Sequence, residues 1–281
     1  MTDFPSWRAL LDEATTRLGD RLDARRIVEQ ASGYEGAQLT LVLDEPSTIL
    51  THNQYRSMLE RRAKGEPLQY VLGRWGFRSL DVFVDQRVLI PRPETEIVVE
   101  HALDMIDRVA ARVAVDLGTG SGVIALSLAL ERPGLEVWAV DVSPDALDVA
   151  RANLAGIGRA ATRVRLEEGD WFAALPSELA GTIDVVVANP PYVAAGDPLP
   201  AEVAEWEPSG ALVAGPTGLE AVERIVQDAP AWLGASGAVV IEIGETQGDR
   251  ALELASRWFA TADVRADLAG RPRVLVAQNP T

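Results

Sequence analysis

The sequence contains no cysteine. That absence removes disulfides, thiolate metal centres and cysteine nucleophiles together. Histidine is almost as scarce, with only His52 and His101 present, so neither a histidine-rich metal site nor any other metal centre is expected. Positive charge is also short: 26 Lys+Arg stand against 42 Asp+Glu, a formal net charge of −16. A long groove for duplex DNA or RNA needs the opposite sign, because phosphate neutralisation dominates such binding. The deficit is uneven. Residues 1–85 hold 11 basic and 13 acidic side chains, leaving −14 for the remainder. Arg61, Arg62 and Lys64 form a small basic cluster in the near-neutral part, and a solvated helix end is the commoner meaning of such a cluster than a partner contact. No run of ~18 apolar residues could span a bilayer, and Met1–Pro5 leads into mixed polar sequence with no secretory pattern. A cytoplasmic protein without a membrane segment is expected.

What is present suits a soluble chain with a substantial core. Of 281 residues, 47% are hydrophobic and 24% charged, and the usual ~150 residues per domain suggests two domains. Residues 1–72 read as short helices. Leu10, Leu11, Ala14 and Leu18 recur at helical spacing and Gly19 closes the stretch. Leu22 to Ala31 repeats the pattern, and Ser47 stands as an N-cap for a helix reaching Arg62. Residues 73–92 change character. Leu80, Val82 and Val84 alternate with polar residues, predicting a β-hairpin linker, and Pro91 and Pro93 end it before a helix with Glu94 and Glu96 in its first turn.

Residues 93–281 settle into strand, loop and helix in turn. Strands are predicted at Val113–Leu117, Val137–Val140, Val164–Leu166, Val185–Val187 and Val239–Ile243, with Ser143-Pro144 capping one helix and Thr217 with Glu220 boxing another that runs through Trp232. Buried strands alternating with helices imply a doubly wound, mostly parallel α/β sheet. The last two strands, Val264–Leu268 and Val274–Ala277, are too close for a crossover, so the last strand must run antiparallel.

Asp116-Leu117-Gly118-Thr119-Gly120-Ser121-Gly122 falls where the first strand turns into its helix. Glycines there let the backbone approach a ligand, at the sheet edge where open α/β folds bind them. A dinucleotide turn would need glycine at position 123, where Val123 stands. Asp116 would crowd a pyrophosphate, whereas a carboxylate suits a sulfonium ligand carrying an ammonium group. Asp141, ending the second strand, can accept from both hydroxyls of a ribose, in NAD as readily as in S-adenosylmethionine. Asp170 and Trp171, after the third strand, could take an adenine amino group and its ring, or could be a capped core tryptophan.

Asn189-Pro190-Pro191-Tyr192 follows the fourth strand directly. An amide nitrogen is a poor nucleophile, its lone pair being held by the resonance that sets the ~18–20 kcal/mol peptide rotation barrier. It must be oriented rather than deprotonated, and orientation can supply ~7–11 kcal/mol. The Asn189 side-chain oxygen can accept one N–H and the Pro190 carbonyl the other, with proline's fixed φ holding that carbonyl. Tyr192 can lie on the flat face. The motif serves glutamine, exocyclic amino groups of adenine or cytosine, and related amides alike.

With Leu89-Ile90-Pro91-Arg92-Pro93-Glu94-Thr95-Glu96, Gly65-Glu66-Pro67-Leu68-Gln69-Tyr70, Gly169-Asp170-Trp171-Phe172, Glu207-Pro208 and Ala211-Leu212, these motifs resemble the protein-(glutamine-N5) methyltransferases of bacterial release factors, the HemK/PrmC family within the class I methyltransferases. Arg74-Trp75-Gly76-Phe77 departs from the Glu-Phe pair expected after the linker glycine. The resemblance implies a Rossmann-like methyltransferase sheet behind a small helical domain that holds the release factor. It implies methyl transfer from S-adenosylmethionine to the glutamine of a Gly-Gly-Gln loop, with S-adenosylhomocysteine as product. By the resemblance Gly118, Thr119, Gly120, Ser121, Gly122, Asp141, Trp171 and Asn189 would meet the cofactor, and Asn189, Pro190, Pro191 and Tyr192 the glutamine; Asp116 and Asp170 join the cofactor set on the residue chemistry above. The competing readings are an N6-adenine methyltransferase, which the charge disfavours, a ribosomal-protein glutamine methyltransferase, and a non-catalytic cofactor-binding protein.

Overall fold

The computed structural model describes residues 4–281. Its contacts divide the chain into two units, one ending at Arg74 and including Ala201–Trp206, the other comprising Trp75–Pro200 and Glu207–Thr281.

The first unit is helical: α1 (Trp7–Leu18), α2 (Arg21–Ser32), α3 (Ala37–Val42), α4 (Ile49–Ala63) and α5 (Leu68–Leu72). Ser6 and Asp20 cap α1 and α2 through their side chains, and left-handed Gly19 and Gly33 end them. Leu10, Ile27, Tyr55 and Leu59 fill the core, where the Tyr55 hydroxyl donates to the Leu10 carbonyl at 2.7 Å. The N-cap of α4 is Thr48, not Ser47. Thr48 and Thr51 form a reciprocal capping box, whereas the Ser47 hydroxyl is drawn off to donate to the Pro5 carbonyl at 3.0 Å. The basic cluster is largely spent internally. Arg61 pairs with Glu66 (Nε–Oε2 2.8 Å), and Arg62 bridges Asp23 and Glu202.

The second unit opens within β1 (Arg74–Phe77) and runs on into β2 (Leu80–Phe83), the two strands forming a small sheet. It continues with α6 (Pro93–Val109), β3 (Val113–Leu117), α7 (Val123–Glu131), β4 (Glu136–Asp141), α8 (Pro144–Gly156), β5 (Val164–Glu168), β6 (Ile183–Ala188) and the short β7 (Val193–Ala194). The chain then makes α9 (Ala201–Trp206), which belongs to the first unit, and returns through β8 (Val213–Gly215), α10 (Glu220–Asp228), β9 (Leu233–Glu242), α11 (Gly248–Ala255), β10 (Phe259–Ala266) and β11 (Pro272–Pro280).

Seven strands form one sheet in the order β10-β11-β9-β6-β3-β4-β5. β5, β4, β3, β6 and β9 pair in parallel, and β11 runs antiparallel between β9 and β10. Val185–Ala188 and Ala238–Ile241 are completely buried, as a parallel sheet covered on both faces requires. Reversal of strand order beside β3 makes the carboxyl edge there the place for a ligand. The box predicted at α10 is only half formed. Glu220 accepts from the Thr217 N–H at 2.8 Å and from the Thr217 hydroxyl at 2.9 Å, but that hydroxyl accepts from the Leu219 N–H and not from the Glu220 N–H, so the reciprocal half is missing. The α-helix stops at Asp228 and passes into a 3₁₀ turn containing Pro230, which has no N–H to continue the ladder.

Candidate active site

The residue pattern places four loops, those after β3, β4, β5 and β6, on one edge of the sheet. β3 ends in the glycine turn, where Gly118, Gly120 and Gly122 all have positive φ, a conformation that carries no side-chain penalty only for glycine. The N–H groups of Gly118 and Thr119 both bond the Val140 carbonyl at 2.9 Å, tying the turn to β4. Asp141, at the end of β4, accepts from the Gly120 N–H (2.8 Å) through one oxygen and from the Ser143 N–H (2.9 Å) through the other. Each oxygen keeps a lone pair for an incoming hydroxyl. Burial raises the Asp141 carboxyl above the usual range, and the backbone N–H groups of Ser143, Gly120 and Val142 oppose that rise.

These loops enclose a cavity of about 310 Å³, within the size range of small-ligand sites. Gly118, Thr119, Gly120, Ser121 and Asp141 line one part of it, Asp170 and Trp171 another, and Asn189 and Pro191 a third. Leu89, Pro91, Thr95, Pro208 and Ala211 complete that third part. Glycine turn and Asn-Pro-Pro loop therefore share one chamber. Trp171 sits at a left-handed φ of 50°, and its ring lies 3.7 Å from where a Cβ on Gly118 would stand.

Four of the sequence-predicted residues do not line the cavity: Asp116, Gly122, Pro190 and Tyr192. Asp116 is turned under the glycine turn and wholly buried. One carboxyl oxygen accepts from the Thr119 hydroxyl (2.6 Å) and the Ala125 N–H (3.1 Å), and the other has no partner among the described residues. Burial pushes its carboxyl up to about 7 against those two donors. The expected direct approach of Asp116 to a ligand is thus replaced by a buried, half-satisfied carboxyl behind the cavity wall. Tyr192 is packed beside Glu242, with its phenol pushed up to about 12 by burial and by that neighbouring acid. Its backbone carbonyl accepts from Gln247 at 2.9 Å.

Over residues 93–204 the chain matches the family described as Methyltransferase small domain, and over residues 7–73 the PrmC N-terminal domain. It is 41% identical over 280 residues, covering 99% of both chains, to a Xylella fastidiosa (strain 9a5c) protein named release factor glutamine methyltransferase. A Burkholderia pseudomallei (strain K96243) protein of the same name is 44% identical over 259 residues, covering 90% of each. The chain belongs to the release factor glutamine methyltransferase family. Among solved structures, the hMettl16 catalytic domain in complex with MAT2A 3'UTR hairpin 6 aligns over 81% of each chain with a TM-score of 0.53 at 16% identity, a likeness of fold alone.

For a member of the release factor glutamine methyltransferase family, two structural supports of the site stand out: Ile90, Arg92 and Glu207 enter the sequence only as parts of family motifs with no role attached, and Asn153 carries no signal at all. Glu207 accepts from the Ile90 N–H at 3.1 Å and pairs with Arg92, so the Leu89–Pro91 and Pro208–Ala211 walls are clasped together. Asn153 of α8 accepts from the Phe83 N–H (2.7 Å) and donates to the carbonyls of Phe83 (3.0 Å) and Ser121 (2.8 Å), joining β2 to the glycine turn. Replacing this buried amide with leucine leaves three backbone groups unpaired, so Asn153→Leu is expected to cost ~2–3 kcal/mol in urea unfolding. Calorimetric titration should show cofactor affinity falling with it. An unchanged unfolding midpoint contradicts this role.

Proposed function

We propose that this enzyme transfers a methyl group from S-adenosylmethionine to the side-chain amide nitrogen of a glutamine in the Gly-Gly-Gln loop of peptide chain release factors. The observation that carries the reading is the Asn189 side chain, which shares a cavity with the glycine turn and whose oxygen accepts no hydrogen bond from the described residues. The names of the relatives supply the substrate class. When bound, S-adenosylmethionine supplies a methyl group activated by its sulfonium charge.

The residues present fit that cofactor. Asp141 has lone pairs for a ribose diol, Trp171 offers a ring face to a purine, and the unpartnered Asp116 oxygen leaves negative potential behind the glycine turn, where a cation is favoured. The chain's own part in the chemistry is orientation. Asn189 takes one amide N–H, and the Pro190-Pro191 pair keeps that acceptor in place as positive charge develops on nitrogen. Tyr192 closes the wall behind them.

We assign residues 1–72 as the unit that takes hold of the release factor, 73–92 as the hairpin linker and 93–281 as the methyltransferase domain, working in the cytoplasm. Among the described residues no helix is long and apolar enough to cross a membrane.

The test is incubation with labelled S-adenosylmethionine and, in parallel, purified release factor, ribosomal protein or DNA, followed by mass mapping. Label is expected on the Gly-Gly-Gln glutamine. Label on DNA adenine, or on a ribosomal-protein glutamine in preference, overturns the assignment.

A further inference from the structure

With amide methylation as its premise, we propose that Glu242 and Thr95 form a positioning relay that fixes which way round the Asn189 amide is held. Sheet register brings the parts together. Ala188 of β6 lies opposite Ile241 of β9, so the next residues, Asn189 just past β6 and Glu242 at the end of β9, stand side by side at the sheet's carboxyl edge. Thr95, in the first turn of α6, comes between them. Its hydroxyl donates to Glu242 Oε2 at 2.7 Å and accepts from Asn189 Nδ2 at 3.0 Å. Thr95 and Glu242 are 2% and 1% exposed, too buried for water to substitute for either.

The direction of this chain follows from hydrogen-bond inventory. An ionised carboxylate can only accept, so it claims the one proton of the Thr95 hydroxyl. The Thr95 oxygen can then only accept, and the amide NH2 of Asn189 must be the group that faces it. The Asn189 oxygen is thereby turned the other way, as the acceptor an incoming NH2 requires. If Glu242 is neutral, it can donate to Thr95, Thr95 can donate to Asn189, and the amide can turn over, presenting NH2 to NH2. Glu242 does not touch the cavity and acts only through its neighbours.

Several charged and titratable groups face Glu242: Arg273 from β11, Glu94 from α6 and Tyr192 from the Asn-Pro-Pro-Tyr loop. Burial lifts its carboxyl to about 7, against the Thr95 hydrogen bond and the Arg273 charge, while Glu94 adds to the rise. A carboxyl of that kind ionises as pH rises through neutrality, so relay-dependent turnover increases in the same direction.

The experiment compares Glu242→Gln, Thr95→Val and Thr95→Ser with the wild type, under saturating S-adenosylmethionine and with release factor as substrate. Glu242→Gln and Thr95→Val should each lower kcat about tenfold or more, with the S-adenosylmethionine Kd within about twofold of wild type. Thr95→Ser, which keeps the hydroxyl, should restore most of the rate lost in Thr95→Val. The wild-type kcat should fall as pH drops below neutrality, and Glu242→Gln should lack that limb. Wild-type kcat in Glu242→Gln or Thr95→Val, or no difference between serine and valine at position 95, overturns the relay, as does a rate loss fully accounted for by lost cofactor binding. If the wild type itself methylates no release factor, the proposed function fails and the relay falls with it; an active wild type with unaffected variants sinks the relay alone.

Discussion

Asn189→Ala is expected to slow methyl transfer by ~10²-fold or more, the usual loss when one preorganised hydrogen-bond partner of a developing charge is deleted. Binding of S-adenosylmethionine should persist within about fivefold, since that change corresponds to only ~1 kcal/mol. The asymmetry follows from placement. The glycine turn and Asp141, which are fixed to one another by the Gly120 and Ser143 N–H bonds, lie on β3 and β4 and are untouched by the substitution. Asn189 belongs to a separate wall, after β6, and is held by Thr95. Single-turnover methylation of release factor alongside calorimetric cofactor titration separates the two effects. Comparable losses in both would make Asn189 chiefly a cofactor ligand, and an unchanged single-turnover rate would remove it from the chemistry.

Much of this arrangement is readable in the sequence because its signals are local. Short continuous apolar runs, the glycine turn, Ser143-Pro144 and the short turn before β11 each report on a few adjacent residues, and together they mark out alternating strands and helices. The sheet therefore follows the reading closely, antiparallel last strand included. Topology alone puts the Asn-Pro-Pro loop and the glycine turn on one edge, and one cavity holds both. What escaped the reading depends on long-range pairing. Glu242 looks like an ordinary strand-end acid until register sets it beside Asn189, 53 positions earlier in the chain. Thr95 reads as a helix-start residue, although its hydroxyl spans two elements. The excursion of α9 into the helical unit has no local signature either. Asp116 was legible as important but not as buried, because the sequence names its side chain without telling which way the strand pleat turns it.

That burial leads to the prediction with the largest thermodynamic consequence. In the folded chain the Asp116 carboxyl is pushed up to about 7 from an ordinary 3.8. The protonated form is therefore the one that folding favours. Its stabilising contribution is complete below the unfolded value near 4 and is lost as pH rises through about 7. At 1.36 kcal/mol per pKa unit the contribution lost is at most about 4 kcal/mol, and the neighbouring Asp141 charge, which raises Asp116 further, is part of it. Asparagine keeps an acceptor for Thr119 and Ala125 while removing the titration. Relative to wild type, Asp116→Asn should accordingly gain stability between pH 5 and pH 8, by ~2 kcal/mol or more in cofactor-free urea unfolding. The same change should weaken S-adenosylmethionine, because a neutral amide no longer offers negative potential behind the turn to a sulfonium and an ammonium group. Cofactor binding near pH 6.5 should release protons in the wild type, as the cation draws Asp116 into its ionised form, and release fewer in the variant. Titrations in buffers of different ionisation enthalpy measure that difference. Parallel stability-versus-pH curves for the two proteins would mean that the carboxyl is already ionised across this range and that the charge is compensated in place. Greater stability bought with poorer binding is the pattern expected where a fold carries a buried charge for its ligand.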